Sequence, residues 1–130
     1  MISMQIELWK FPVPVTALLR GPFFRDFPKR RCEISFYIEG NGTESSKVAL
    51  TFDGVEAYKC TYITSLTAEI INAAYGKLIR IDGSPWIAEI SKVYDKGGRA
   101  SKNLQHLMVC FDDGPCYEFI CLQFSANNMS

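Results

Sequence analysis

Apolar positions cluster over residues 104–124, LQHLMVCFDDGPCYEFICLQF, where two apolar, aromatic-rich runs flank DDGP. Strand formers on both sides of Asp, Gly and Pro predict a β-hairpin, and its apolar content places it at the centre of an antiparallel sheet. Two registers are open. A loop of Asp112, Asp113 and Gly114, with Gly114 left-handed, sets Cys110 opposite Cys116. Leu107, Val109, Phe111, Tyr117, Phe119 and Cys121 then share one face, and His106, Met108, Cys110, Cys116, Glu118 and Ile120 share the other. A loop of Asp113 and Gly114 alone pairs Cys110 with Tyr117 and His106 with Cys121. We prefer the first register because it sorts the aromatic rings to one side, although Pro115 pushes the residue before it toward extended backbone. Both faces carry apolar residues in either register, so both are expected to be covered.

Upstream, residues 1–11 alternate weakly, with Ile6 and Leu8 on one side and Phe11 added to it; Pro12 and Pro14 restrict them to an edge strand or an extended arm. Residues 20–31, RGPFFRDFPKRR, read as a loop punctuated by Gly21, Pro22 and Pro28. Residues 32–39, 47–52 and 55–64 read as strands, separated by turns at 40–42 and 53–54. Leu66, Ile70, Ile71 and Ala74 form a helical stripe, which Thr64 or Ser65 caps and Gly76 ends. A short strand at 77–81 turns at Asp82-Gly83. Ser84 then caps, with Pro85 in its first turn, a second helix over 86–94 that Gly97-Gly98 stops; a strand is the alternative for this stretch. Residues 97–103 are a flexible link, and 125–130 a polar tail. The expectation is an α+β fold in which an antiparallel sheet of about five to six strands, with the C-terminal hairpin central, carries two helices. It forms one domain over residues 1–130: a basic, proline-interrupted segment (1–31), the sheet and helices (32–124) and the tail (125–130).

A chain of 130 residues can bury a sizeable core without staples. Its five cysteines are odd in number and contain no C-x-x-C pair, which argues against a disulfide framework or a zinc site and for buried thiols in a cytoplasmic, reducing setting. No metal or other cofactor is expected. No apolar run reaches the roughly 20 residues of a membrane span, and the proline-broken start does not read as a secretory signal. Net charge is zero but uneven: residues 1–31 carry six Lys/Arg against two acids, so affinity for an acidic partner would sit there.

Catalysis has few candidates. His106 is the single histidine, and in the preferred register Cys110 lies roughly 13 Å along the strand from it, too far for a thiol–imidazole pair. The other register sets it against Cys121, so His106, Cys121 and Glu118 are the residues a thiol enzyme would use. Glu118 lies in the most apolar run and must be protonated or paired, with His106, Lys59 and Arg80 as partners; pairing is the favoured reading. Anion binding points elsewhere. Arg20, Arg25, Lys29, Arg30 and Arg31 interleave with Phe23, Phe24 and Phe27, as a single-stranded nucleic-acid binder would have them, while the bland alternative is a loop whose rings cover the sheet. Finally, 13% aromatic residues exceed the need of a small core, leaving some as interface anchors.

At residues 111–121, FDDGPCYEFIC, the chain resembles small uncharacterised bacterial domains ending in a strand–FDD–turn–CYEF–strand hairpin, and FDGVEAYKCTYIT and DGSPWIAEI resemble segments preceding that hairpin. The likeness spans residues from about 46 to 124. Some such proteins lie beside toxin genes, where immunity proteins are encoded, so the resemblance implies a non-catalytic role and brings no catalytic residues. The first functional expectation is therefore a non-enzymatic domain that binds another protein, as an immunity or accessory protein, using Trp86, Asp112, Asp113 and Tyr117; a homodimer is a further expectation. Second is an anion or nucleic-acid binder through residues 20–31, and third a thiol enzyme.

Overall fold

In a computed structural model, which describes residues 4–40, 42, 44–96, 103–112 and 114–129, the chain runs β1 (Met4–Lys10), β2 (Arg20–Phe27), β3 (Arg31–Glu39), β4 (Ser45–Asp53), β5 (Ala57–Tyr62), α1 (Ala68–Ala74), β6 (Lys77–Asp82), α2 (Pro85–Lys96), β7 (Gln105–Cys110), β8 (Pro115–Cys121) and β9 (Gln123–Met129). One sheet has the order β1-β6-β7-β8-β5 and the other β2-β3-β4-β9, all pairs antiparallel. The fold is thus α+β, with a strand count above the expectation and two sheets in place of one.

The hairpin of β7 and β8 adopts the first register, with Cys110 opposite Cys116 and Leu107 opposite Phe119. One face, with Leu107, Val109, Phe111, Phe119 and Cys121, packs against Ile34, Phe36, Leu50 and Phe52 of the second sheet, and Phe52 stacks on Phe119 with centroids 3.9 Å apart. The other face, with Met108, Cys110 and Cys116, packs under Ile70, Ala73 and Ala74 of α1. Both faces are covered, as the apolar pattern requires.

Two details of this hairpin differ from expectation. Gly114 does not take a left-handed conformation, in keeping with the extended backbone that a following proline favours. Cys110 and Cys116 are joined in a disulfide, where free thiols were expected. The Phe111 amide donates to the Pro115 carbonyl, so the next pair inward is the close, non-hydrogen-bonded kind that brings two Cβ atoms within bridging reach. Cys60 is also exposed, not buried; Cys32 and Cys121 are buried thiols.

Two segments read as irregular are strands. Residues 20–27 form edge strand β2, whose Pro22 sits where the ladder with β3 shifts between Arg20 and Phe23. Residues 123–129, expected to be largely tail, form β9 on β4, with Phe124 and Ala126 facing the core. Around the corner, β4–β5 and β8–β9 pass from one sheet to the other side by side. Between the Asp53–Gln123 and Ala57–Ile120 pairs, three residues (Gly54, Val55, Glu56) oppose two (Cys121, Leu122), and this one-residue bulge bends the ribbon. Gly54 (φ +67°) is required there, since a Cβ would meet the Leu122 side chain at 2.6 Å.

Helix α1 starts at Thr67, which caps Ile70, and not at Thr64 or Ser65, because Ile63–Ser65 forms a 3-10 turn. The stretch from Pro85 is helix α2, not strand, with Ser84 as its cap. Gly97 and Gly98, expected to stop it, and most of the link that follows lie outside the described residues. Phe119 joins the two sheets, so Phe119→Ala should cost about 3–5 kcal/mol; urea unfolding will measure this, and a loss under about 1 kcal/mol would contradict the packing.

Candidate functional site

The outer face of β7 and β8 carries a buried polar chain that extends the expected pairing of Glu118 to Ser84. Ser84, His106 and Glu118 are 3%, 6% and 7% exposed. His106 Nδ1 lies 2.6 Å from Ser84 Oγ, and Nε2 lies 2.8 Å from Glu118 Oε1. Satisfying every group assigns the protons. The Ile87 amide donates to Ser84 Oγ, the Ser84 hydroxyl donates to Nδ1, and Nε2–H donates to Glu118. Lys59 Nζ stands 3.9 Å from the other Glu118 oxygen and 4.4 Å over the Trp86 ring, which meets His106 edge-on at 5.3 Å. Of the partners expected for Glu118, His106 and Lys59 take the role, while Arg80 pairs with Asp82.

These are the residue types of a nucleophilic triad, but their arrangement is that of a latch. Ser84 is enclosed and already accepts a helix amide; Pro85, the next residue, has no N–H to offer a developing oxyanion. The chain fastens the start of α2 to the middle of the five-stranded sheet. A cleft of about 630 Å³ opens beside His106, yet Arg80 is engaged there by Asp82, and Gln105 by the Leu122 carbonyl. The thiol-enzyme arrangement is not formed. Cys121 is opposite Gln105 on the core side of the sheet, His106 is on the helix side, and burial pushes the Cys121 thiol up to about 12. Among the described residues no group of three His, Cys, Asp or Glu side chains could hold a metal ion.

The residues expected to bind are scattered. Trp86 covers the polar chain on the helix side, while Tyr117 packs on the sandwich side against Phe24 at 5.7 Å. Asp112, at the hairpin tip, accepts a hydrogen bond from the Tyr75 hydroxyl, and Asp113 lies outside the described residues. The five cations of residues 20–31 also part company. Arg30 pairs with Glu56 and Arg31 with Asp53; Arg20 lies over Tyr37, Arg25 over Phe27, and Lys29 is exposed.

Strand β5 brings together what those expectations left out. It ends the five-stranded sheet, paired with β8 on one side. Hydrogen-bonding direction alternates along an antiparallel strand. The Phe111 amide donates to Pro115, which turns alternate residues of β8, Cys116, Glu118 and Ile120, toward β5, and the Ile63 amide donates to the Gly114 carbonyl in the same phase. Lys59 and Thr61 therefore bond to β8, and the amides of Tyr58, Cys60 and Tyr62 point out of the sheet. Tyr58 and Tyr62 are 46% and 63% exposed, and Tyr58 joins Phe24 and Tyr117 in one aromatic patch. Burial first, then the neighbouring Cys60 and Tyr62, raises the Tyr117 phenol above its ordinary range. Sequence reasoning read residues 55–64 as a strand but not as a sheet edge; Tyr58 and Tyr62, four residues apart on one face, were the available signal.

Protein-family models, curated proteins and solved structures provide no match to this chain.

Two outcomes check this description. Ser84→Ala removes the cap of α2 and leaves His106 Nδ1 bare, so it should lower stability by about 2–4 kcal/mol in chemical denaturation; an unchanged midpoint would contradict the latch. Burial raises all three free thiols, Cys121 to about 12 and Cys32 to about 11, but Cys60 alone is exposed, so Cys121 and Cys32 should resist iodoacetamide at pH 8 while Cys60 is alkylated. Mass mapping that found Cys121 modified in the folded protein would contradict it.

Proposed function

We propose that this protein works by binding another protein chain, adding an extended segment of it to the free edge of β5. The observation that carries the reading is an edge strand with three outward amides and two well-exposed tyrosines, Tyr58 and Tyr62. Backbone pairing supplies affinity in strand addition and alternate side chains supply specificity; tyrosine is among the residues that anchor interfaces.

The other three edges are blunted. The β1 ladder shifts between Glu7 and Trp9, β2 carries Pro22 at a shift of its own, and β9 presents Ser125 and Asn127. The ladder of β5 with β8 is regular over all six residues. Lys59, which would otherwise guard the edge, folds back over Trp86 toward Glu118. An accessory or immunity-type role, as the FDDGPCYEF hairpin implies, fits a protein whose work is to cover part of another. Nucleic-acid binding is the weaker proposal, since Glu56 and Asp53 neutralise two of its five cations.

A library of displayed ten-residue peptides panned against the protein tests this reading. Cys60→Pro removes an outward N–H without touching the ladder to β8. Selected peptides should bind this variant about tenfold or more weakly, the equivalent of one or two lost hydrogen bonds. Peptides that bind it as tightly as the parent, or that instead lose affinity on Arg20→Ala and Arg25→Ala, would overturn the assignment.

A further inference from the structure

We infer that the strand added to β5 is the β5 of a second copy, giving a two-fold dimer with a continuous ten-stranded sheet; this rests on the edge reading above. When a strand pairs antiparallel with itself, the register is defined by the residue that faces its own counterpart. Centring on Cys60 uses every outward amide of the strand. Cys60 exchanges two hydrogen bonds with the partner's Cys60, and Tyr58 exchanges two with the partner's Tyr62 on each side of the axis. A two-fold axis perpendicular to the sheet keeps like faces together. Tyr58 therefore lies beside the partner's Tyr62 on the sandwich side, an aromatic cross-strand pair that occurs twice. On the helix side Lys59 lies opposite the partner's Thr61.

The neighbouring registers are worse. Centring on Lys59 sets two ammonium groups face to face and leaves the outward amide of Tyr62 unmatched; centring on Thr61 leaves that of Tyr58 unmatched and sets Cys60 against the partner's Tyr62. Lys59 already has Glu118 at 3.9 Å, and the chain's formal charge is zero, so no long-range repulsion opposes association. Charge and shape along β5 are thus self-complementary in one register. Cys60 is the exposed thiol at its centre, and Cα atoms of a hydrogen-bonded pair stand about 5.5 Å apart, well within the reach of a short bismaleimide.

Sedimentation of the full chain over a range of concentrations, with bismaleimidoethane cross-linking, tests the dimer. The parent protein should sediment as a dimer and cross-link through Cys60. Cys60→Pro should raise the dissociation constant at least about 30-fold. Tyr62→Asp, at a position 63% exposed and so compatible with folding, should weaken the dimer at least as much. In a Cys60→Ser background, Tyr58→Cys with Tyr62→Cys should cross-link, whereas Lys59→Cys, diagonal to its own counterpart at about 7–8 Å, should not close a disulfide on oxidation. A parent protein monomeric at every concentration, a dimer indifferent to Cys60→Pro and Tyr62→Asp, or disulfide closure through Lys59→Cys would each overturn the inference. If the parent is monomeric while selected peptides still bind in a Cys60→Pro-sensitive manner, self-pairing fails and the edge reading stands. If neither is seen, both fail.

Discussion

A carboxylate in the middle of a strand covered on both faces has no water to turn to, and Glu118 meets that condition inside the fold. His106 comes from the adjacent strand, Lys59 from the strand on the other side, and Ser84 extends the chain to the start of α2. A buried ion left unpaired costs several kcal/mol, so these groups settle the register of three strands and the seat of one helix together. A slip of β8 by one residue would carry Glu118 into the core beside Phe52 and turn Phe119 toward the helices.

The same constraint shows in how the polar groups at this site are engaged. Each polar atom of the Ser84–His106–Glu118 chain already has its partner, and the serine that resembles a nucleophile is consumed as a helix cap. What the fold leaves unfinished is its rim. The bent ribbon of β4–β5 and β8–β9 carries the chain between sheets and, among the described residues, leaves β5 with one neighbouring strand, lying between Trp86 on one face and Phe24 on the other. Unpaired amides and exposed tyrosines therefore coincide on one short strand.

Much of the central sheet was legible because both sides of β7 and β8 are buried, so each residue's face has an energetic consequence the sequence must respect. The hairpin register was preferred for sorting the aromatic rings to one face, and a paired Glu118 was expected from its apolar surroundings, with its partner left among His106, Lys59 and Arg80. Edge strands send weaker signals. In β2, Gly21, Pro22 and Arg25 are tolerated because one side of the strand meets water, and in β9 only Phe124 and Ala126 need face inward, so SANNMS reads as tail. Two sheets were unreadable from a list of strands, since the crossovers depend on Gly54 yielding to Leu122 across the corner. Ser84 was legible as a cap and not as His106's partner, because that contact spans 22 residues and exists only once β6 lies beside β7. The disulfide was missed by counting cysteines when the preferred register already set Cys110 against Cys116.

Residue-resolved amide hydrogen exchange along β5, followed from dilute to concentrated protein, tests the central claim most directly. If one side of this strand is bonded to β8 and the other is open for a second chain, Lys59 and Thr61 will be protected at every concentration. Tyr58, Cys60 and Tyr62 will exchange freely when dilute and gain protection as strands associate. Uniform protection along the strand at all concentrations, or the opposite alternation, would contradict the account.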